Sequence, residues 1–231
     1  MAQRNAGLIA DPLFVGATRP PMRWGVTYAA LLFNMVFTLE AFLVTRNLLT
    51  LLLCAPIHSL WLPRYAAFVY QSSLRDRHLA ALFAPDAVLV PVPGSARSGP
   101  APWAAYRLAV ALGEVGFALH VWTGLRRQCA VTKSATAPSA GRPTVRQHYD
   151  SFEVTMPAPN AIPRLVLIDD VITKGRTLLA AAARLRAELP LADIRGFALI
   201  RTEGFVQQIK HLEESCHGVV RWARGDARRE P

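Results

Sequence analysis

The sequence predicts an α/β fold, a central parallel sheet flanked by helices, preceded by an apolar helical extension. Three observations carry this. Two short runs of branched apolar residues, Ala87-Val88-Leu89-Val90 and Leu165-Val166-Leu167-Ile168, lack the alternation of a half-solvated strand and suit strands buried on both faces. Each run is followed by a turn of small or polar residues and then by a helical stripe. Ahead of them, residues 1–63 hold long apolar runs of a different character. The chain divides accordingly into an extension over 1–63, an α/β domain over 64–203 and a tail over 204–231.

With 231 residues, 52% of them hydrophobic and 18% charged, the chain has the composition of a globular protein able to bury a full core. Its formal net charge of +10 suits an anionic partner: nucleic acid, a membrane surface or a small polyanion. The distribution favours the last. Between Val115 and Tyr149 lie Arg126, Arg127, Lys133, Arg142 and Arg146 without an acidic residue, and no dense basic run with interleaved aromatics occurs, so nucleic acid is disfavoured. Cys54, Cys129 and Cys216 form no C-x-x-C pair, which argues against a disulfide framework or zinc site and fits a reducing compartment. His211, Cys216 and His217 are close in sequence but lack a fourth ligand.

Residues 1–24 contain Pro12, Pro20 and Pro21 and read as an irregular arm. Val26 to Thr45 is then an apolar run interrupted by Asn34 and Glu40, and Leu48 to Ala55 a second run ended by Pro56. The first is long enough for a bilayer, which takes roughly 20 residues. Glu40 counts against a span, since an ionisable group in hydrocarbon costs about 2.5–3.5 kcal/mol. Three readings stand for this region: membrane contact through residues 26–55, a helix pair packed on the domain or on a second copy, and a start assigned too early, with Met22 and Met35 as alternatives.

Arg64 to Leu82 reads as a helix with Arg75-Asp76-Arg77-His78 on its exposed side, leading into the strand Ala87–Pro93. Trp103 to Phe117 carries a helical stripe of Ala105, Leu108, Ala109, Leu112 and Val115. Short β-like pieces flank Arg126-Arg127. Residues 132–163 lose regular periodicity and read as a long loop, in which His148 is expected to be exposed. Leu178 to Leu189 is an amphipathic helix stopped near Pro190, and Ile194 to Ile200 is the next strand, completing a βαβ unit. The last dozen residues read as frayed.

The strand Leu165–Ile168 runs straight into Asp169-Asp170-Val171-Ile172-Thr173-Lys174-Gly175-Arg176-Thr177. Two carboxylates at a strand's carboxyl end accept hydrogen bonds from hydroxyls, while Thr hydroxyls, converging amides around Gly175 and cationic side chains suit a phosphate at a helix start. No Walker loop is present.

These thirteen residues, 165–177, resemble the phosphoribosyl pyrophosphate (PRPP) motif of the type I phosphoribosyltransferases, and Val90-Pro91-Val92-Pro93 resembles the ComF-like group in particular. The resemblance runs from about Arg64 to Thr202 and implies a phosphoribosyltransferase-like fold. It implies that Asp169 and Asp170 hold the ribose hydroxyls and a Mg²⁺, directly or through water, and that Val171, Thr173, Lys174, Gly175, Arg176 and Thr177 form the PRPP loop. It further implies that Gly94, Ser95, Ala96, Arg97 and Ser98 receive pyrophosphate, and that Lys133, with Asp169 and Asp170, serves catalysis. The reaction implied is transfer of the phosphoribosyl group to or from a nucleobase-like acceptor, in the cytoplasm, with a homodimer left open. Two alternatives accompany it, a non-catalytic PRPP- or nucleotide-sensing regulator and a ComF-like DNA-uptake accessory protein. Lys174 departs from the Thr or Ser common in that family, and Thr173 stands where purine-using members carry an acid.

Overall fold

A computed structural model describes residues 11–15, 22–23, 26–27, 61–83, 86–99, 103–118, 120–133, 141–155, 164–202 and 216–230. The expected apolar runs, apart from Val26 and Thr27, and His211 lie outside the described residues.

The fold is α/β, with a parallel sheet flanked by helices. Eleven described strands are β1 (Asp11–Val15), β2 (Met22–Arg23), β3 (Val26–Thr27), β4 (Ala87–Pro91), β5 (His120–Val121), β6 (Leu125–Arg127), β7 (Phe152–Val154), β8 (Arg164–Ile172), β9 (Asp193–Arg201), β10 (Cys216–Ala223) and β11 (Asp226–Glu230). The described helices are α1 (Trp61–Ser73), α2 (Arg77–Leu82), α3 (Ala104–Glu114), α4 (Val145–Ser151) and α5 (Arg176–Glu188). The main sheet has the order β11-β10-β1-β9-β8-β4-β5. Strands β5, β4, β8 and β9 are parallel to their neighbours, β1 is parallel to β9, and β10 and β11 run antiparallel.

Strand alternation explains why the apolar runs have no polar face. Leu165 and Leu167 of β8, with Val88 and Val90 of β4, pack under α5 through Leu178, Leu179 and Leu185. Val166 and Ile168, with Ala87 and Leu89, face the opposite way and meet Leu108 and Leu112 of α3 and Tyr65 and Val69 of α1. A period of two sends successive side chains to two different cores, so both must be apolar.

Five local expectations are corrected. Asp11–Val15, expected within an irregular arm, is β1, paired with β9 and β10. The helix expected over 64–82 breaks at Leu74 to Asp76, because the Asp76 carboxylate accepts from the amides of His78 (2.9 Å) and Leu79 (3.3 Å) and starts a second helix. Arg126 and Arg127 do not sit between two β-pieces but inside β6, which pairs with β7. The irregular stretch 132–163 contains α4 and β7; Thr144 and Gln147 close a capping box that nucleates the helix. Within the last dozen residues, expected to fray, residues 220–230 belong to β10 and β11 and to the turn joining them, in which Arg224 (φ 51°) and Gly225 (φ 81°) are both left-handed.

Candidate functional site

The carboxyl ends of β4 and β8 lie side by side, with Pro91 opposite Ile168 and the Val92 amide donating to the Ile168 carbonyl at 2.8 Å. This register brings two sequence-predicted loops together, residues 94–98 after β4 and residues 173–177 after β8. The segment leading to Lys133 is tied to the first of them, the Val131 amide donating to the Ser95 carbonyl at 2.8 Å, and Lys133 itself is exposed.

Asp169 and Asp170 lie in the carboxyl-terminal half of β8. The Asp170 amide donates to the Asp169 carboxylate and the Val171 amide to that of Asp170, both at 3.0 Å. Asp169 retains some surface, yet its carboxyl is packed deeply enough that burial, then the neighbouring Asp170 charge, pushes its proton affinity well above the ordinary carboxylate range. A cation placed between the two carboxylates would relieve both effects. Among the described residues no group of three or more His, Cys, Asp or Glu side chains converges as a metal cage. A two-carboxylate set fits Mg²⁺, which keeps several waters and takes its remaining oxygens from a phosphoryl ligand.

The loop 173–177 turns on Gly175, whose φ of +82° is left-handed; a Cβ there would also lie 2.8 Å from the Val220 side chain of β10. Thr173 is exposed and Thr177 half-buried at the start of α5. The structure engages the two cationic residues elsewhere. Arg176 donates through Nε and Nη2 to the Asp226 carboxylate at 2.5 and 2.6 Å, and Lys174 Nζ reaches it at 3.2 Å. The hydrogen bonds from Arg176 pull the Asp226 carboxyl down to about 2. Arg229 adds a bond from Nη2 to the Thr202 carbonyl at 3.0 Å, and the Thr202 amide donates to the Ile172 carbonyl at 2.9 Å. The C-terminal hairpin therefore leans directly on this loop.

The residue that sequence reasoning missed is Arg127. Strand β6 alternates buried, exposed, buried, so Leu125 and Arg127 share an inward face while Arg126 points to solvent. The Arg127 guanidinium donates from Nε to the Gly94 carbonyl at 2.5 Å, from Nη2 to the Pro93 carbonyl at 3.5 Å and from Nη1 to Ser151 Oγ, and it stacks 4.3 Å from the Phe152 ring centroid. Main-chain bonds reinforce this contact: Arg127 N–H donates to Ser98 Oγ at 2.8 Å and the Ser98 amide to the Arg127 carbonyl at 2.9 Å. Burial lowers the guanidinium to about 10, so it stays charged at neutral pH. His148, expected to be exposed, is 4% exposed and lies 3.4 Å from Arg127 through Nδ1. Burial and then the Arg127 charge lower His148 to about 4, leaving it neutral and able to accept from Arg127. The signal for this corner was the Thr144-x-x-Gln147 capping box, which marks a helix start where the composition suggests a loop.

Residues 9–63 match the family model of a VirB3-like protein of the type IV secretory pathway. No curated protein matches the chain. The match covers less than a quarter of the sequence, including β1, β2, β3 and the first residues of α1. It overturns the expected membership of the type I phosphoribosyltransferases and their ComF-like group, because the matching family is a secretory-pathway one. The enzymatic reading, transfer between PRPP and a nucleobase, and the sensing and DNA-uptake alternatives drawn from the same resemblance fall with it. The physical reason is that a strand, two acids and a Gly-containing turn before a helix is a solution open to many α/β proteins, and the fold hosting it does not fix a reaction. Among the described residues, no helix is long and apolar enough to cross a membrane.

Proposed function

We propose that the protein is a component of a type IV secretory pathway whose apolar N-terminal segment engages the membrane and whose α/β domain binds the magnesium complex of a phosphoryl-bearing small molecule. The observation that carries the secretory reading is the match of residues 9–63 to the VirB3-like family. The apolar runs from Val26 to Thr45 and Leu48 to Ala55 lie inside that match and support contact with the bilayer. The α/β domain is assigned to the cytoplasmic side, where Cys129 and Cys216 would remain free thiols.

The ligand reading rests on the carboxyl edge of the sheet. Asp169 and Asp170 would hold Mg²⁺ and accept ligand hydroxyls. The Thr173 and Thr177 hydroxyls and the amides around Gly175 would take one phosphoryl group, with Val171 bordering it and Lys174 and Arg176 supplying charge from their places on Asp226. Gly94, Ser95, Ala96, Arg97 and Ser98 would receive a second anionic group, with Lys133 supplying charge from the segment that Val131 ties to Ser95. Mg²⁺ would bring the charge that lets two carboxylates and an anionic ligand share one site.

The test is genetic complementation in a host that carries the gene. Deletion is expected to abolish transfer of a type IV secretion substrate, the full chain to restore it, and a chain with residues 26–55 replaced by a polar linker to fail both in restoration and in membrane fractionation. Undiminished transfer after deletion overturns the secretory reading. Restoration by Asp169→Asn as complete as by the wild type would separate the ligand site from that role.

A further inference from the structure

A ligand loop works only if its amides point at the ligand, and in the loop 94–98 the orientation is imposed from behind. In a trans peptide the carbonyl of one residue and the N–H of the next point in opposite directions. Arg127 takes the Pro93 carbonyl and the Gly94 carbonyl together, at 3.5 and 2.5 Å, on the inner side of the loop. The amides that follow those carbonyls, on Gly94 and Ser95, must therefore face away from Arg127. No described residue accepts a hydrogen bond from either amide, and Gly94 is exposed.

We infer that Arg127 is a positioning residue of the ligand site: by fixing two consecutive carbonyls it turns the Gly94 and Ser95 amides outward as paired donors for the ligand's second anionic group. This rests on the reading of the carboxyl edge as a phosphoryl site. The guanidinium cannot serve as a direct ligand contact, being 2% exposed and committed to Pro93, Gly94 and Ser151. Its geometry is itself fixed, by Ser151 on Nη1 and by the Phe152 ring beneath it. Ser151 Oγ in turn donates to the His148 carbonyl at 2.7 Å, so helix α4 sets the fork that sets the loop. Arg is required because its planar fork reaches two carbonyls and a hydroxyl at once, where Lys offers one ammonium. The buried positive charge also lies behind the loop, adding to the field that an anion meets at the outward amides.

Calorimetric titration of the full chain with inorganic pyrophosphate and with inorganic phosphate, each with Mg²⁺, tests this. Arg127→Met is expected to weaken pyrophosphate about tenfold or more while changing inorganic phosphate, which the loop 173–177 can hold alone, by less than about twofold. Arg127→Lys should recover part of the pyrophosphate affinity, and Ser151→Ala should lose about threefold, which keeps the test open where Arg127→Met fails to fold. Amide hydrogen exchange at Gly94 and Ser95 should change in all three variants. Pyrophosphate affinity unchanged in these variants, or lost equally for both probes as a purely structural defect would give, overturns the role. If Asp169→Asn abolishes binding while the Arg127 variants match the wild type, the role fails and the site stands. If the wild type binds neither probe, both are overturned.

Discussion

The two loops that meet at the carboxyl edge of the sheet are secured in opposite ways. Residues 94–98 are held from inside, by a buried guanidinium sharing its space with a neutral histidine. Residues 173–177 are held from outside, by a carboxylate on the C-terminal hairpin whose partners include the largely solvated Lys174. Burial makes the first contact strong and insensitive to salt, at the cost of a group that cannot tolerate protonation. Partial solvation, greatest at Lys174, makes the second weaker and more screened, and therefore adjustable. The loops sit side by side but answer to different variables, pH for one and ionic strength for the other.

The largest expected effect breaks the inner contact. Arg127→Met leaves the Gly94 and Pro93 carbonyls and Ser151 without their buried donor and should cost about 3–5 kcal/mol in denaturant unfolding. A loss below about 1 kcal/mol would show that water replaces the guanidinium freely. The next is the pH dependence of the same corner. His148 is lowered from 6.5 to about 4, so between those values the unfolded chain takes a proton that the folded chain refuses. Stability is fully retained above pH 6.5 and falls as pH drops towards 4, by up to about 3 kcal/mol. His148→Gln should flatten that window in urea titrations at stepped pH; an unchanged slope would locate the acid sensitivity elsewhere.

The outer contact gives smaller effects. Gly175→Ala forces a side chain into a left-handed position against Val220 and should cost about 2 kcal/mol, seen as a lower Tm with faster exchange in residues 216–230. Asp226→Asn should cost about 1 kcal/mol after allowance for solvent screening, a loss that disappears in high salt. Because the Asp226 carboxyl is lowered to about 2, the contribution of this ion pair is present above about pH 3.8 and fades as the pH falls through 2, below the window of His148. Should Asp226→Asn prove as costly as Arg127→Met, the distinction between an inner and an outer fastening would collapse.

Much of the architecture is legible in the sequence because burial on two faces leaves a distinct mark. Leu165 to Ile168 can hardly be anything but a central strand, and the helices after β4 and β8 follow from their apolar stripes. The placement of loops 94–98 and 173–177 at one edge also follows from parallel order alone. Arg127 was illegible because two adjacent arginines look alike until a strand assigns one of them inward. The burial of His148 leaves no mark in the sequence, because a seven-residue helix in a proline-flanked segment offers too few turns for periodicity to show. The hairpin turn hid behind Arg224, which occupies a left-handed position usually given to Asn or Gly. The expected family is overturned for a different reason. The motif at 165–177 reports a local geometry, whereas the VirB3-like match lies in residues 9–63, where apolar composition alone signalled only a segment seeking a hydrophobic surface.

Strand β1 has a consequence in time. It is wedged between β9 and β10, with Asp11 opposite Val220 and Leu13 opposite Gly196. Synthesis makes β1 before every other described element and its antiparallel partner β10 after all of them but β11, so this seam of the sheet closes only once β10 has emerged. Such distant pairing is slow to form. Until then β1 lacks its antiparallel neighbour, and completion of the seven-stranded sheet is a late event.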